Sequence, residues 1–115
     1  MKVVVAIIQA PKLRAVHEAL EKVEVMRMTV CDAQGYGHQQ GRSEKYRGHE
    51  CKPPLLRKIA LKIVVNDDFL ARTLDAVANA ARTGPEGTIG DGKIFVLPVE
   101  EAIQIDDATR GPGAV

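Results

Sequence analysis

At 115 residues the chain is long enough for one domain and too short for an elaborate core. Sixteen Lys and Arg against fifteen Asp and Glu leave a net charge of +1, which gives no electrostatic case for nucleic acid as a partner. Trp is absent and Tyr and Phe number two each, so the core must be built from Val, Ile, Leu and Ala, and so thin a core favours burial against further copies of the chain.

No apolar stretch approaches the roughly 18–20 residues that span a bilayer. The opening run Met1 to Ile8 has one basic residue and no small-residue cleavage site after it, and so reads as a first strand rather than a signal peptide. Cys31 and Cys51 are too few and too far apart for a disulfide framework or a four-ligand zinc site, which points to a reducing cytoplasm.

In chain order, Lys2 to Gln9 is a β-rich apolar run closed by Pro11. Lys12 to Val23 carries Leu13, Val16, Ala19, Leu20 and Val23 at helical spacing with charged residues between them. Val25 to Asp32 reads as a second strand. Ala33 to Pro54 is polar, glycine-bearing and without period, and a loop of that length is generally functional or disordered. Arg57 to Val65 alternates, with Ile59, Leu61, Ile63 and Val65 on one face and Lys58, Ala60, Lys62 and Val64 on the other. Asn66 and Asp67 are N-cap candidates for a helix bearing Phe69, Leu70, Leu74, Val77, Ala78 and Ala81. A glycine-rich run, Thr83 to Lys93, leads into a strand at Lys93 to Val99 and a short strand-like Ala102 to Ile105. Asp106 to Val115, with Gly-Pro-Gly near its end, reads as a flexible tail behind a domain over residues 1–105.

Strand–helix–strand thus occurs twice. Right-handed crossovers put both helices on one face of a four-stranded sheet, an α+β ferredoxin-like βαββαβ sandwich. The other face has no helix to cover it, yet its strands are apolar on both sides, so assembly of identical chains through that face is expected. In the glycine-rich run, Gly90, Asp91 and Gly92 leave little bulk, so backbone N–H groups can approach a phosphate, and Lys93 adds a point charge. A tight turn before a strand is the plainer account of the same residues.

The chain resembles the PII signal-transduction proteins from Lys2 to about Ile105. The resemblance rests on Met28-Thr-Val30, Gly35-Tyr-Gly37, Gln39, Gly41, Glu44, Tyr46-Arg-Gly48, Lys58, Ile63-Val-Val65, Asp67-Asp68, Thr83-Gly84 and the long run Ile89-Gly-Asp-Gly-Lys-Ile-Phe-Val96. It implies a homotrimer with a T-loop over about 36–54 and a B-loop over about 82–93. It also implies adenine nucleotide (ADP, AMP or ATP) bound in clefts between subunits. By the resemblance, Gly90, Asp91, Gly92 and Lys93 face the phosphates, Gly35, Gly37, His38 and Gln39 form the T-loop side, and Ile7, Thr29 and Val64 line the adenine pocket. Gln39 would coordinate Mg when ATP is bound, and Gln39, Gly41 and Lys58 would hold a second ligand such as 2-oxoglutarate.

Departures from the family pattern are specific. His38 stands where an arginine is usual, Gln104 and Asp106 where two phosphate-facing arginines are usual, and Cys51 where many relatives carry a modifiable tyrosine. Pro85, Glu86 and Gly87 lengthen the B-loop. Fewer charge-assisted bonds to a terminal phosphate predict a preference shifted toward ADP or AMP. Cys51, near Lys52 and His49, is a candidate redox thiol, although an inert loop thiol is the plainer account. His17 is a surface residue. No nucleophile–base pair stands out, so an enzyme is not expected.

The expected function is a cytoplasmic regulator that docks a membrane transporter or metabolic enzyme through its T-loop. The departures favour a branch serving inorganic-carbon metabolism with bicarbonate as the second signal. The alternatives are a conventional nitrogen regulator sensing Mg-ATP and 2-oxoglutarate, and a ligand-free trimeric interaction module.

Overall fold

The computed structural model describes residues 1–37, 45–46, 49–50 and 54–115. His38, Gln39, Gly41 and Cys51 lie outside the described residues, as does most of the T-loop span.

The elements are β1 (Lys2–Gln9), α1 (Leu13–Lys22), β2 (Thr29–Gly35), β3 (Lys45–Tyr46), β4 (His49–Glu50), β5 (Leu56–Val65), α2 (Asp67–Ala81) and β6 (Gly92–Pro98). Among the described residues the strands form one antiparallel sheet in the order β2-β5-β1-β6 and a short β3–β4 hairpin. That order, with both helices packed on one face, is the ferredoxin-like arrangement expected from the pattern of elements.

The alternation of side chains assigns the two faces. Val4, Ala6 and Ile8 of β1 and Ile59, Leu61 and Ile63 of β5 point to the helices and are buried. Val16 and Leu20 of α1, with Val77 and Ala81 of α2, complete that core. Each such aliphatic side chain contributes about 1.5–3 kcal/mol when fully buried. The opposite face carries Val3, Val5 and Ile7 of β1, whose β6 partners in register are Leu97, Phe95 and Lys93. No element of the described residues covers it, and Phe95 and Leu97 remain exposed.

Two expectations are corrected, and a further one, Asn66 as an N-cap, is met in position without its capping bond. The second strand begins at Thr29, not Val25, because the end of α1 uses Val25 as its closing residue. The Glu24 N–H donates to the Glu21 carbonyl (3.0 Å) and the Val25 N–H to the Leu20 carbonyl (2.9 Å), a Schellman closure with Glu24 left-handed at φ 65°. Asn66 occupies the N-cap of α2, but its side chain makes no capping bond; its Nδ2 donates instead to the Pro112 carbonyl (3.1 Å).

The second correction concerns the C-terminal region. Within Ala102–Ile105 the pairing is a single bridge, Ile103 to Arg110. The expected tail folds back: Gln104 N–H donates to the Thr109 carbonyl (2.8 Å) and Gly111 N–H to the Ala102 carbonyl (2.9 Å). A composition of Gly, Pro and Asp reads as loose. Here Gly111 at φ 78° supplies one left-handed position of a tight reversal, and Ala108 at φ 60° takes another despite its Cβ.

Candidate functional site

The glycine-rich loop between α2 and β6 is built around one carboxylate. Asp91 Oδ2 accepts from the backbone N–H groups of Thr83 (2.9 Å) and Thr88 (2.8 Å), and its Oδ1 accepts from the Thr83 hydroxyl (2.6 Å). The Thr83 hydroxyl, followed by the Thr83 amide, holds the Asp91 carboxyl below the ordinary carboxylate range, against partial desolvation. The Thr88 amide and the charge of Lys12 act in the same direction as Thr83. Asp91, expected among the nucleotide contacts, therefore spends its side chain closing the loop.

The loop ends pressed against β1. Gly92 has φ 126°, and a Cβ there would overlap the carbonyl oxygen of Ile7, so no other residue fits without moving the strand. Lys93 follows on the open face, exposed and opposite Ile7. One step inward, the carbonyl of Gly90 accepts from Lys58 Nζ (3.1 Å) and from Gln9 Nε2 (3.1 Å). Lys58 is the register partner of Gln9 on β1 and of Ala33 on β2. Lys58 therefore ties the glycine-rich loop to the β2–β5 pair, which ends two residues further on at Gly35 and Leu56. Among the described residues, a Cβ on Gly35 or Gly37 would meet nothing within 4 Å.

A cleft of about 580 Å³ lies between the C-terminal end of α2, this loop and β6, and Ile7, Gly92, Lys93 and Arg82 are among its lining. That volume is within the usual range for small-molecule sites. Thr29 and Val64 are elsewhere. They share a recess of about 290 Å³ with Lys62 and Ala102, beside the C-terminal turn. Ile7 pairs with Ala60, so Val64 lies four residues further along β5, about 13 Å at the usual rise per residue. The three expected adenine contacts thus fall in two places within one chain.

Three residues were missed by sequence reasoning. Gln9 reaches Gly90 from 81 positions away. Lys12 Nζ donates to the Arg82 carbonyl (3.4 Å), which brings a cation to the loop besides Lys58 and Lys93. Arg110 stands beside the positions that lack arginine, its Nη1 on Glu101 Oε1 at 2.6 Å. The arginine itself was visible in the sequence; its place needed the fold of the C-terminal turn. Gln104 and Asp106 lie in that turn, and Asp106 Oδ1 accepts from the Asp107 N–H (2.9 Å).

Residues 1–109 match the family described as nitrogen regulatory protein P-II. The chain belongs to the P-II family. Nitrogen regulatory protein GlnK1 of Methanosarcina mazei is 46% identical over 115 residues, covering all of this chain and 97% of that protein. Nitrogen regulatory protein P-II of Bradyrhizobium diazoefficiens is 45% identical over the full length of both, and the P-II protein of Nostoc punctiforme 43%. These names favour the nitrogen-regulator alternative over the inorganic-carbon reading, which is set aside. P-II proteins bind adenine nucleotides, and in this chain Lys93 and Lys58 are cations beside the loop that Gly92 seats against the Ile7 carbonyl. Among the described residues no helix is long and apolar enough to cross a membrane, and no cluster of three metal-binding side chains occurs.

Proposed function

We propose that this P-II chain is a regulatory protein of nitrogen metabolism, not an enzyme, working in the cytoplasm as a homotrimer. It binds adenine nucleotide against the Gly90–Lys93 loop. The observation that carries the reading is the convergence at Gly90: a loop pressed onto β1 by Gly92, with Lys58 and Lys93 on the same sheet face. The split between the Ile7 cleft and the Thr29–Val64 recess supports a nucleotide held between two chains, one giving the phosphate loop and the other the recess. Gly35, Gly37, His38 and Gln39 are assigned to the same nucleotide on the resemblance, and Gln39 to Mg with ATP.

Lys58, with Gln39 and Gly41, is assigned to a carboxylate of a second ligand, 2-oxoglutarate. The regulation is linkage. Nucleotide and second ligand each bind one state of the T-loop better, and they bias docking on a transporter or enzyme by that same coupling energy. Gln104 and Asp106 in place of arginines lower the positive charge available to a terminal phosphate, and Arg110 is engaged by Glu101.

Without 2-oxoglutarate, isothermal titration should show ADP binding about tenfold more tightly than Mg-ATP, the effect of one lost charge-assisted bond. With 2-oxoglutarate, Mg-ATP should gain affinity. Absence of heat with ADP, AMP and Mg-ATP alike would leave the ligand-free interaction module as the better reading.

A further inference from the structure

Two donors converge on one acceptor at the centre of the site. The Gly90 carbonyl oxygen takes the Gln9 amide and the Lys58 ammonium at the same distance, 3.1 Å, and both bonds are partly buried. A carbonyl has two lone pairs, so both bonds can form together. Either one alone also keeps the oxygen satisfied, and an oxygen buried with neither is costly. Gln9 and Lys58 are neighbours in register on adjacent strands, so they reach Gly90 from the same sheet face. The loop cannot follow a departing lysine, because Gly92 seats its far end against the Ile7 carbonyl.

We propose that Gln9 is a positioning residue for the anion-binding loop. Its amide keeps the Gly90 carbonyl satisfied when the Lys58 ammonium turns away onto a bound carboxylate. The loop then holds its shape for the nucleotide while the lysine serves the second ligand, so the two ligands need not compete for one cation. This rests on the assignment of Lys58 to a carboxylate made above. The partition between the donors rests on Gln9 holding a donor of its own within reach of the same carbonyl.

The test has two arms on the full-length protein. In the first, amide hydrogen exchange over Thr83–Lys93 is followed without any ligand. Gln9→Leu and Lys58→Met should each change it less than twofold, since one donor remains. The double variant should exchange about tenfold faster, a non-additive result. In the second, 2-oxoglutarate is titrated in the presence of Mg-ATP. Gln9→Leu should weaken it about tenfold, because Lys58 can no longer leave the loop freely, and Gln9→Lys, which keeps a donor of similar reach, should recover most of the loss.

A double variant that exchanges no faster than the single ones would overturn the shared clamp. Wild-type 2-oxoglutarate affinity in Gln9→Leu, or no recovery in Gln9→Lys, would overturn the positioning role. If the wild-type protein takes no 2-oxoglutarate, the assignment of Lys58 is what fails, and the exchange arm still decides whether the clamp exists.

Discussion

At the level of single residues, Asp91 shows how a loop of small side chains acquires a fixed shape. Its carboxylate joins Thr83 to Thr88 through three accepted bonds, and it accepts them best when ionised. Because its folded pKa is depressed, its stabilising contribution is full above the unfolded carboxylate value near 3.8 and is lost as pH falls through the folded value. Asp91→Asn should therefore loosen the loop at neutral pH and differ little from wild type once the solution is acidic enough to protonate the native carboxyl. Loop amide exchange or a thermal melt across pH 2–7 reads this. A variant whose deficit persists unchanged at the acid end would contradict it. Asp67, lowered chiefly by its bond from the N-terminal amine, titrates in the same direction elsewhere, so the comparison has to be variant against wild type.

Among the elements, α1 ends on a strained residue. Glu24 takes the left-handed position of a Schellman closure, where L-residues with a Cβ are disfavoured by about 1–2 kcal/mol and glycine is the common choice. Glu24→Gly should raise stability by about 0.5–1 kcal/mol after the extra backbone entropy of glycine is counted, seen as an increase in the denaturant midpoint at unchanged slope. A lowered midpoint would mean that Glu24 makes a contact its φ does not reveal.

The same residue explains what was legible in the sequence. Ile59, Leu61 and Ile63 announced their strand by alternation, and Val16 and Leu20 their helix by spacing, because both signals are local. A cap made with Glu rather than Gly carries no local signal, and the start of β2 was misplaced with it. The glycines and lysine of the loop before β6 are local signals too, and they carry the proposed site. Asp91's closure of the loop and Gln9's reach to Gly90 could not, since each depends on residues brought together by the fold. The division of Ile7 from Val64 likewise needed the β1–β5 register.

For the whole molecule, the proposed homotrimer rests on the sheet face left uncovered among the described residues. Phe95 is 51% and Leu97 47% exposed on β6, in register with Val5 and Val3 of β1. Side chains of this kind, continuous with Val3 and Val5, form a patch of the sort that marks association between chains. Phe95→Glu should therefore convert a trimer into monomers of 12.5 kDa in light scattering, and nucleotide affinity should fall with it if the site is shared between chains. Wild-type protein running as a monomer would refute both statements.

One feature of the sheet bears on how such a protein changes over time. The T-loop departs from β2 and returns into β5 at directly paired residues, Gly35 and Leu56. Its two ends are thus fixed by the sheet whatever lies between them, and each doubling of a loop's length adds only about 0.6 kcal/mol of closure cost. Inserted or exchanged sequence there leaves the register of the sensor untouched. New docking partners can therefore be acquired by drift in the part of that segment beyond Gly41, while the ligand residues proposed at its start stay under their own selection.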